Sequence, residues 1–385
     1  MPFDANSIAV PGTAQSRAGV LRRVIVVAPH FEEYAYRLAR GLSERCDVVL
    51  ALDLGALRSE FEKRTLPGAP RVSLRNNRFR SLPDLVRLIV EIVRFRPQVI
   101  HWQEPSGLVK AVIAAIVVTL FRPFVTLALT VHDPVPHDGR DAAVARRLAL
   151  FRRYTRRKVH RILVHGPSCR EQYLQAYLPY PHSEERIALT DHGVILADGI
   201  DMPPTEPFSV LMFGRMESYK GLAVLCDAID ILSAEGCDLR LQLAGAGPEI
   251  DALEPRFTRH PAVSVDKRFV AAADLITMIQ ASDCVVLPYT GATQSGVLAA
   301  AFGNGRFVVA SRIGGIADIV EHGENGLLVP PGDAKSLARA LQRVATDKVL
   351  RGRLQEGARR TAAEQLSWSR IAADLVSRYA VEERR

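Results

Sequence analysis

Two α/β domains, each a doubly wound parallel sheet, are predicted for this chain on three observations. Its 385 residues exceed what one ordinary core requires. Short aliphatic runs alternate with helical stretches from Arg23 onward and again from Phe208, the spacing of repeated strand–helix–strand units. Between the two runs, Pro203, Pro204 and Pro207 break any regular element. The expected division is residues 1–200, residues 201–365 and a terminal segment over 366–385.

Taken in order, Arg23–Ala28 (RVIVVA) reads as a buried strand that Pro29 ends, and the segment PHFEEYAYRLARGLSER as a loop and a helix. Val48–Leu52 is the next strand, Leu82–Phe95 a helix, Val99–Trp102 a strand, Leu108–Phe121 a helix and Thr126–Val131 a strand. Ligands of such sheets sit beyond the carboxyl ends of the strands. The residues expected there are His30–Glu33, His101–Glu104, His132–Asp138 and His165–Gly166. In the second run Val210–Phe213 is a strand, Gly221–Ala234 a helix, Leu239–Ala244 a strand and Ala272–Ala281 a helix, with a helix from Ile250 and a short strand at Val263–Val265 between them. Cys284–Leu287 is a strand followed by a polar loop over Tyr289–Ser295, a small-residue helix over Gly296–Phe302 and a strand over Phe307–Ala310. LSWSRIAADLVSRYAVEERR reads as a last helix with Trp368 near its start.

Charged residues at 24% and hydrophobic ones at 48% are globular values. The five cysteines are scattered and never spaced as C-x-x-C, which points to a reduced, cytoplasmic setting and away from structural zinc. The first twenty residues lack the apolar run of a signal peptide. The most apolar stretch, Leu108–Leu129, is interrupted by Lys110, Arg122 and Pro123, so it reads as a helix and a strand rather than a membrane span. Residues 1–200 carry 29 Lys and Arg against 19 Asp and Glu, and residues 201–385 carry 21 against 23. Much of the basic excess lies in Arg146–Ile162, which reads either as a solvated helix face or as a dock for an anionic membrane surface or a lipid diphosphate. No nucleic-acid-binding motif accompanies it, so nucleic acid is not an expected partner.

The chemistry falls on the loops. In FGRMESYKGL, Gly214, Arg215 and Lys220 follow a strand tip, where a guanidinium fork and an ammonium could both neutralise a diphosphate. Arg and Lys five apart in a loop are also ordinary surface charges. The turn GAGP places Gly245 and Gly247 where backbone could approach a ligand closely. Gln294, Ser295, Gly296 and Val297 open the small-residue helix, joining free amides and a hydroxyl into an anion site, or into a plain Ser295 cap. In TVHDPVPHDG, His132 follows a strand directly and could donate to an oxygen at a reaction centre, with Asp133 orienting it or acting on an acceptor and His137 nearby. The prolines of that loop argue against a metal site.

Together these segments resemble the retaining glycosyltransferases of the GT-B fold, family-4 type. GRMESYKGL is similar to that family's Gly-Arg-x4-Lys-Gly segment and LAGAGPE to its Gly-x-Gly turn. SRIGGIADIVEHGENGLLVPPGDAKSLARAL is similar to its closing segment and LSWSRIA to its terminal helix, while TVHD and Asp191–Val194 (DHGV) resemble first-domain and hinge segments. The resemblance implies two Rossmann-like domains facing a cleft, with the terminal helix crossing back to the first. It implies transfer of a sugar from a nucleotide-diphosphate donor as co-substrate, with no cofactor and no metal. His132, Arg215 and Lys220 would form the catalytic set, with Gly214, Gly245, Gly247, Arg268, Gln294, Ser295, Gly296 and Val297 on the donor. Glu32, Glu33, Asp133 and His137 would face the acceptor, a lipid-linked or growing saccharide at an anionic membrane surface, on a protein peripheral to the cytoplasmic face.

The chain departs from that family at one place. The usual pair of glutamates would fall at Ala292 and Ala300, and no carboxylate lies between Asp283 and Asp318. In the family the second glutamate holds the donor ribose. The first-domain loop also has Phe31-Glu32-Glu33 in place of a Gly-Gly pair. The missing carboxylates prompt a second reading, a GT-B protein that binds a nucleotide sugar or a partner without transfer, whereas a third, a GT-B sugar-nucleotide epimerase, would use cleft carboxylates as acid and base, and this loop carries none.

Overall fold

The computed structural model describes residues 21–61, 64–135, 140–177, 183–197, 206–291 and 294–379. His137 and Ala292 lie outside the described residues, as do Pro203 and Pro204.

Aliphatic runs build a first, seven-stranded parallel sheet: β1 (Arg23–Ala28), β2 (Asp47–Leu52), β3 (Val72–Asn76), β4 (Val99–Gln103), β5 (Thr126–Val131), β6 (Arg161–His165) and β7 (Ile187–Thr190). Its helices are α1 (Glu32–Ser43), α2 (Leu54–Glu60), α3 (Leu82–Phe95), α4 (Leu108–Phe121), α5 (Arg140–Lys158), α6 (Gly166–Tyr177) and the single turn α7 (Ser183–Arg186). Strand order is β3-β2-β1-β4-β5-β6-β7, with Val24 in register with both Val48 and Val99.

A second sheet of six parallel strands contains β8 (Phe208–Phe213), β9 (Leu239–Ala244), β10 (Val263–Asp266), β11 (Cys284–Leu287), β12 (Phe307–Ser311) and β13 (Gly326–Val329), ordered β10-β9-β8-β11-β12-β13. Its helices are α8 (Leu222–Ala234), α9 (Pro248–Phe257), α10 (Ala272–Gln280), α11 (Gly296–Gly303), α12 (Gly314–Ile319), α13 (Ala334–Thr346) and α14 (Lys348–Glu364). The strand order reverses between β1 and β4 in one sheet and between β8 and β11 in the other. These switch points open crevices at the strand tips, which is where ligands of such sheets bind.

The N-terminal sheet is covered on both faces. On one, Tyr34, Leu38 and Leu42 of α1 share a core with Ile371, Leu375 and Tyr379 of the last helix, α15 (Trp368–Tyr379). On the other, Leu85, Leu88 and Ile92 of α3 and Ile113, Val117 and Val118 of α4 pack over Ile25, Trp102 and Leu129. At roughly 1.5–3 kcal/mol for each fully buried aliphatic side chain, the docking of α15 is a structural commitment of the N-terminal half. The predicted terminal helix therefore contacts α1 rather than its own sequence neighbours.

The chain between the sheets is held from three directions. Glu33 accepts from the Leu196 amide at 3.0 Å, and Asn304 at the end of α11 donates to Leu196 O at 2.7 Å. Trp368 Nε1 donates to Val194 O at 2.7 Å, and its indole fills the space a side chain at Gly193 would need. Asp318 of α12 accepts from the Ser168 amide and hydroxyl, both at 2.9 Å, placing a carboxylate from the second half at the amino end of α6.

Two expectations are corrected. Val99–Trp102 extends through Gln103, so His101 lies inside β4, not beyond its tip. It is buried, bonded to Tyr379 Oη at 2.6 Å and Thr130 Oγ1 at 2.7 Å, and burial pushes it down to about 3. The basic segment Arg146–Ile162 is the end of α5 plus the start of β6. Its Arg156 points inward, where it makes a bidentate pair with Glu104 at 2.6 and 2.7 Å.

Candidate active site

A cavity of about 430 Å³ lies between the two sets of strand tips. On its C-terminal wall, Gly214 and Arg215 leave β8, and Lys220 ends a short 3-10 turn, Ser218–Lys220. Gln294, Ser295, Gly296 and Val297 enter from the start of α11. Ser295 Oγ accepts from the Leu298 amide at 3.2 Å, so the predicted cap is present. The capping leaves the Gly296 and Val297 amides at the positive end of a helix whose first residues line the cavity. Lys220 Nζ donates to Tyr289 Oη at 2.6 Å and sits 4.0 Å from the centre of that ring. Burial pushes the ammonium down to about 8.

The N-terminal wall carries Phe31, Glu33, Tyr34, Glu60, His132, Asp133 and His192. Phe31 precedes α1 with φ 59° and ψ 56°, a left-handed conformation that costs a non-glycine residue ~1 kcal/mol. Its ring tilts over His132 at 4.5 Å. His132 has both ring nitrogens engaged, Nε2 with Gln103 Oε1 at 2.7 Å and Nδ1 with His165 Nε2 at 3.2 Å. Burial, with His165 and His192 beside it, holds His132 well below the usual histidine range. His132 thus reaches the cleft as a neutral ring whose two nitrogens are bonded to Gln103 and His165.

The acceptor-side carboxylates divide. Burial alone would raise Glu33, but Arg64 and Arg37, at 3.0 and 2.7 Å, outweigh it and hold the carboxyl below the usual range. Its oxygens serve those arginines and the Leu196 amide, on a side chain that lines the cavity. Glu32 lies behind the wall, and burial raises its carboxyl. Asp133 lines the cavity as expected.

A second cavity of about 390 Å³ adjoins the first and shares Glu60, Leu196, Gly214, Arg215, Ala272 and Leu275 with it. Its remaining wall is mostly apolar, with Val270, Ala271 and the 91% exposed Phe269 beside Gly245. Gly245 has φ 144° and its Cα faces Gly214 O, so only glycine lets the tips of β8 and β9 meet. Gly247 packs against the Met216 backbone and lines neither cavity. Arg268 is directed to Asp266 and Asp274 at 3.0 and 3.4 Å and also lies outside both cavities. Glu60, Tyr219 and His192 were not marked as site residues by sequence. A strand-tip signal existed for His192, two residues beyond β7, whereas Glu60 sits in an ordinary polar helix end. Among the described residues, no group of three His, Cys, Asp or Glu side chains converges to hold a metal ion.

Two family descriptions match successive parts of the chain, Glycosyltransferase Family 4 over residues 31–197 and Glycosyl transferases group 1 over residues 207–347. The chain belongs to the group 1, family 4 glycosyltransferases. It is 30% identical over 176 residues to an uncharacterized glycosyltransferase of Methanocaldococcus jannaschii, covering 45% of this chain and 44% of that protein. It is 32% identical over 181 residues to the D-inositol 3-phosphate glycosyltransferase of Jonesia denitrificans, covering 44% of this chain and 42% of that protein. The chain therefore spans less than half the length of these two curated relatives. Among solved structures, HepE of Anabaena in complex with UDP and glucose aligns with a TM-score of 0.66 at 20% identity, over 92% of this chain and 98% of that one. Sucrose-phosphate synthase of Thermosynechococcus elongatus aligns with a TM-score of 0.69 at 18% identity, over 93% and 98%. At such identities the likeness is one of fold, and the fold of this glycosyltransferase chain is GT-B.

Proposed function

We propose that this glycosyltransferase moves a sugar from a nucleotide-diphosphate donor to a lipid-linked or growing saccharide, with retention of anomeric configuration. The observation that carries the reading is the convergence of Arg215, Lys220 and the amino end of α11 on one cavity. Guanidinium, ammonium and backbone amides are the groups that stabilise a departing diphosphate as its glycosidic bond breaks. The adjoining apolar cavity suits a nucleobase, with Phe269 offering a ring face. HepE, similar in fold, is described in complex with UDP-glucose, which makes that donor a natural first probe. Asp133 faces the acceptor in this reading, His132 shapes the wall beside the sugar, and no metal is needed because the cations of the wall balance the diphosphate.

The test is transfer of labelled sugar from a panel of nucleotide sugars to lipid extracts, with EDTA present. Product formed by the wild type and lost in Arg215→Ala and Lys220→Ala supports transfer. Tight donor binding with no transfer to any acceptor would favour the binder without catalysis, the reading prompted by Ala300, buried in α11 where an acidic residue would have served.

A membrane-borne acceptor has its own supporting observation. Leu82, Val86, Val90 and Val93 form one exposed stripe along α3, and Leu108, Val109, Ile116 and Leu120 another along α4. Exposed Arg80, Arg87, Arg94 and Arg96 lie along or beside the first stripe. An apolar face rimmed by arginines suits an anionic lipid surface. No described helix is long and apolar enough to cross a membrane.

A further inference from the structure

We infer that Glu60, from the N-terminal side of the cleft, holds the ribose hydroxyls of the donor, an inference that rests on the nucleotide-sugar reading above. The polar cavity, with Arg215, Lys220 and the start of α11, takes the diphosphate, and the apolar cavity takes the base. The part of a nucleotide that joins those two is the ribose, with its vicinal hydroxyls. It must therefore pass the wall that both cavities share. Among the described residues lining both, Glu60 is the one carboxylate. The Glu60 oxygens keep lone pairs beyond those engaged by the Glu33 amide and the Glu32 carboxyl, and these can accept from the ribose hydroxyls. The opposite wall supplies no alternative, since α11 is GVLAAAFG and bears no acidic side chain.

The placement of Glu60 is held by local structure. Asp53 caps α2 through the Gly55 amide at 2.9 Å, and Glu60 at the other end accepts from the Glu33 amide at 2.5 Å. The Glu32 carboxyl also hydrogen-bonds Glu60. Burial and the neighbouring Glu32 push Glu60 up to about 7, so the pair shares a proton near neutrality and adds little repulsion beside a diphosphate. Because Arg215 and Glu60 come from opposite halves, a ribose bound in this way ties the two walls of the cleft together.

The experiment is calorimetric titration of the full chain with UDP, GDP and ADP, with their 2′-deoxy and 3′-deoxy counterparts, and with inorganic pyrophosphate. For the nucleotide class that binds, the wild type is expected to favour the ribonucleotide by about tenfold, the scale of one hydrogen bond to a charged group. Glu60→Ala brings that ratio close to one and leaves pyrophosphate affinity unchanged. Glu60→Gln, which keeps an acceptor for the Glu33 amide, serves if the alanine variant does not fold, and it lowers the ratio. A wild type without discrimination, or variants that keep the full ratio, overturns the assignment of Glu60 while leaving the donor reading intact. A wild type that binds none of the nucleoside diphosphates overturns the donor reading itself.

Discussion

Lys220 is buried at 8% exposure, hydrogen-bonded to Tyr289 and pushed down to about 8 from an ordinary 10.5, chiefly by burial. Between those two values the unfolded chain binds more protons than the folded one, so this residue makes stability rise with pH across that window. Below about pH 8 the cation is present at a cost to stability. Lys220→Met is therefore expected to raise the melting temperature at pH 7 while lowering kcat/KM by roughly 10²–10³, the scale of losing one charge-stabilising donor. Donor affinity of the wild type should fall as pH rises above about 8; an affinity flat from pH 7 to 9.5 would remove Lys220 from the diphosphate. His132, His165 and His192 are all held low by burial, the last two at about 3 and about 4. Their ring proton resonances are expected to stay unchanged between pH 5.5 and 8, and a titrating His132 would contradict its neutral state. At this scale Arg215 and Lys220 were legible because they follow a strand tip in sequence. The engagement of His132 was not, because Gln103 and His165 lie 29 and 33 residues away in sequence.

Among the elements, α5 shows how a charge run misleads. Read linearly, its arginines form one basic face, yet Arg156 is buried on Glu104, a partner 52 residues back. Arg156→Gln leaves a buried carboxylate without its bidentate partner, so a loss of about 3–5 kcal/mol is expected in chemical denaturation. Arg147→Gln, at an exposed position on the same helix, should change stability by no more than about 0.5 kcal/mol. The outer faces of α3 and α4 add apolar stripes to the exposed Arg147, Arg153, Arg157 and Lys158 of α5 as surfaces for an anionic membrane. Replacing Val86 and Val90 by Glu should leave the melting temperature near that of the wild type and abolish sedimentation with anionic vesicles. Unchanged sedimentation would sink that assignment. The central strands β1, β2 and β5 were readable because they are almost wholly buried, mostly aliphatic runs, and β4 because Val99 and Ile100 open a fully buried segment. Edge strands β3 and β7 were not, since half-exposed VSLRN and IALT carry no such run.

For the molecule as a whole, the two sheets are coupled through the Val194–Leu196 segment and the Trp368 indole that braces it. The crossing of α15 was legible only through family resemblance, because its partners on α1 lie more than 300 residues earlier. Trp368→Ala is expected to cost about 3 kcal/mol and to weaken donor binding as the walls lose their fixed spacing; normal affinity in that variant would show that the cleft does not depend on the brace. The central claim is that the amino end of α11, with Arg215 and Lys220, holds a donor diphosphate. Thermal stabilisation by a panel of UDP-, GDP- and ADP-sugars, run on the wild type and on Gly296→Glu, tests it most directly. The account predicts a clear upward shift with one nucleotide class in the wild type and none in the variant, whose carboxylate would occupy and repel the phosphate position. An equal shift in both proteins, or no shift in the wild type with any nucleotide, would contradict it.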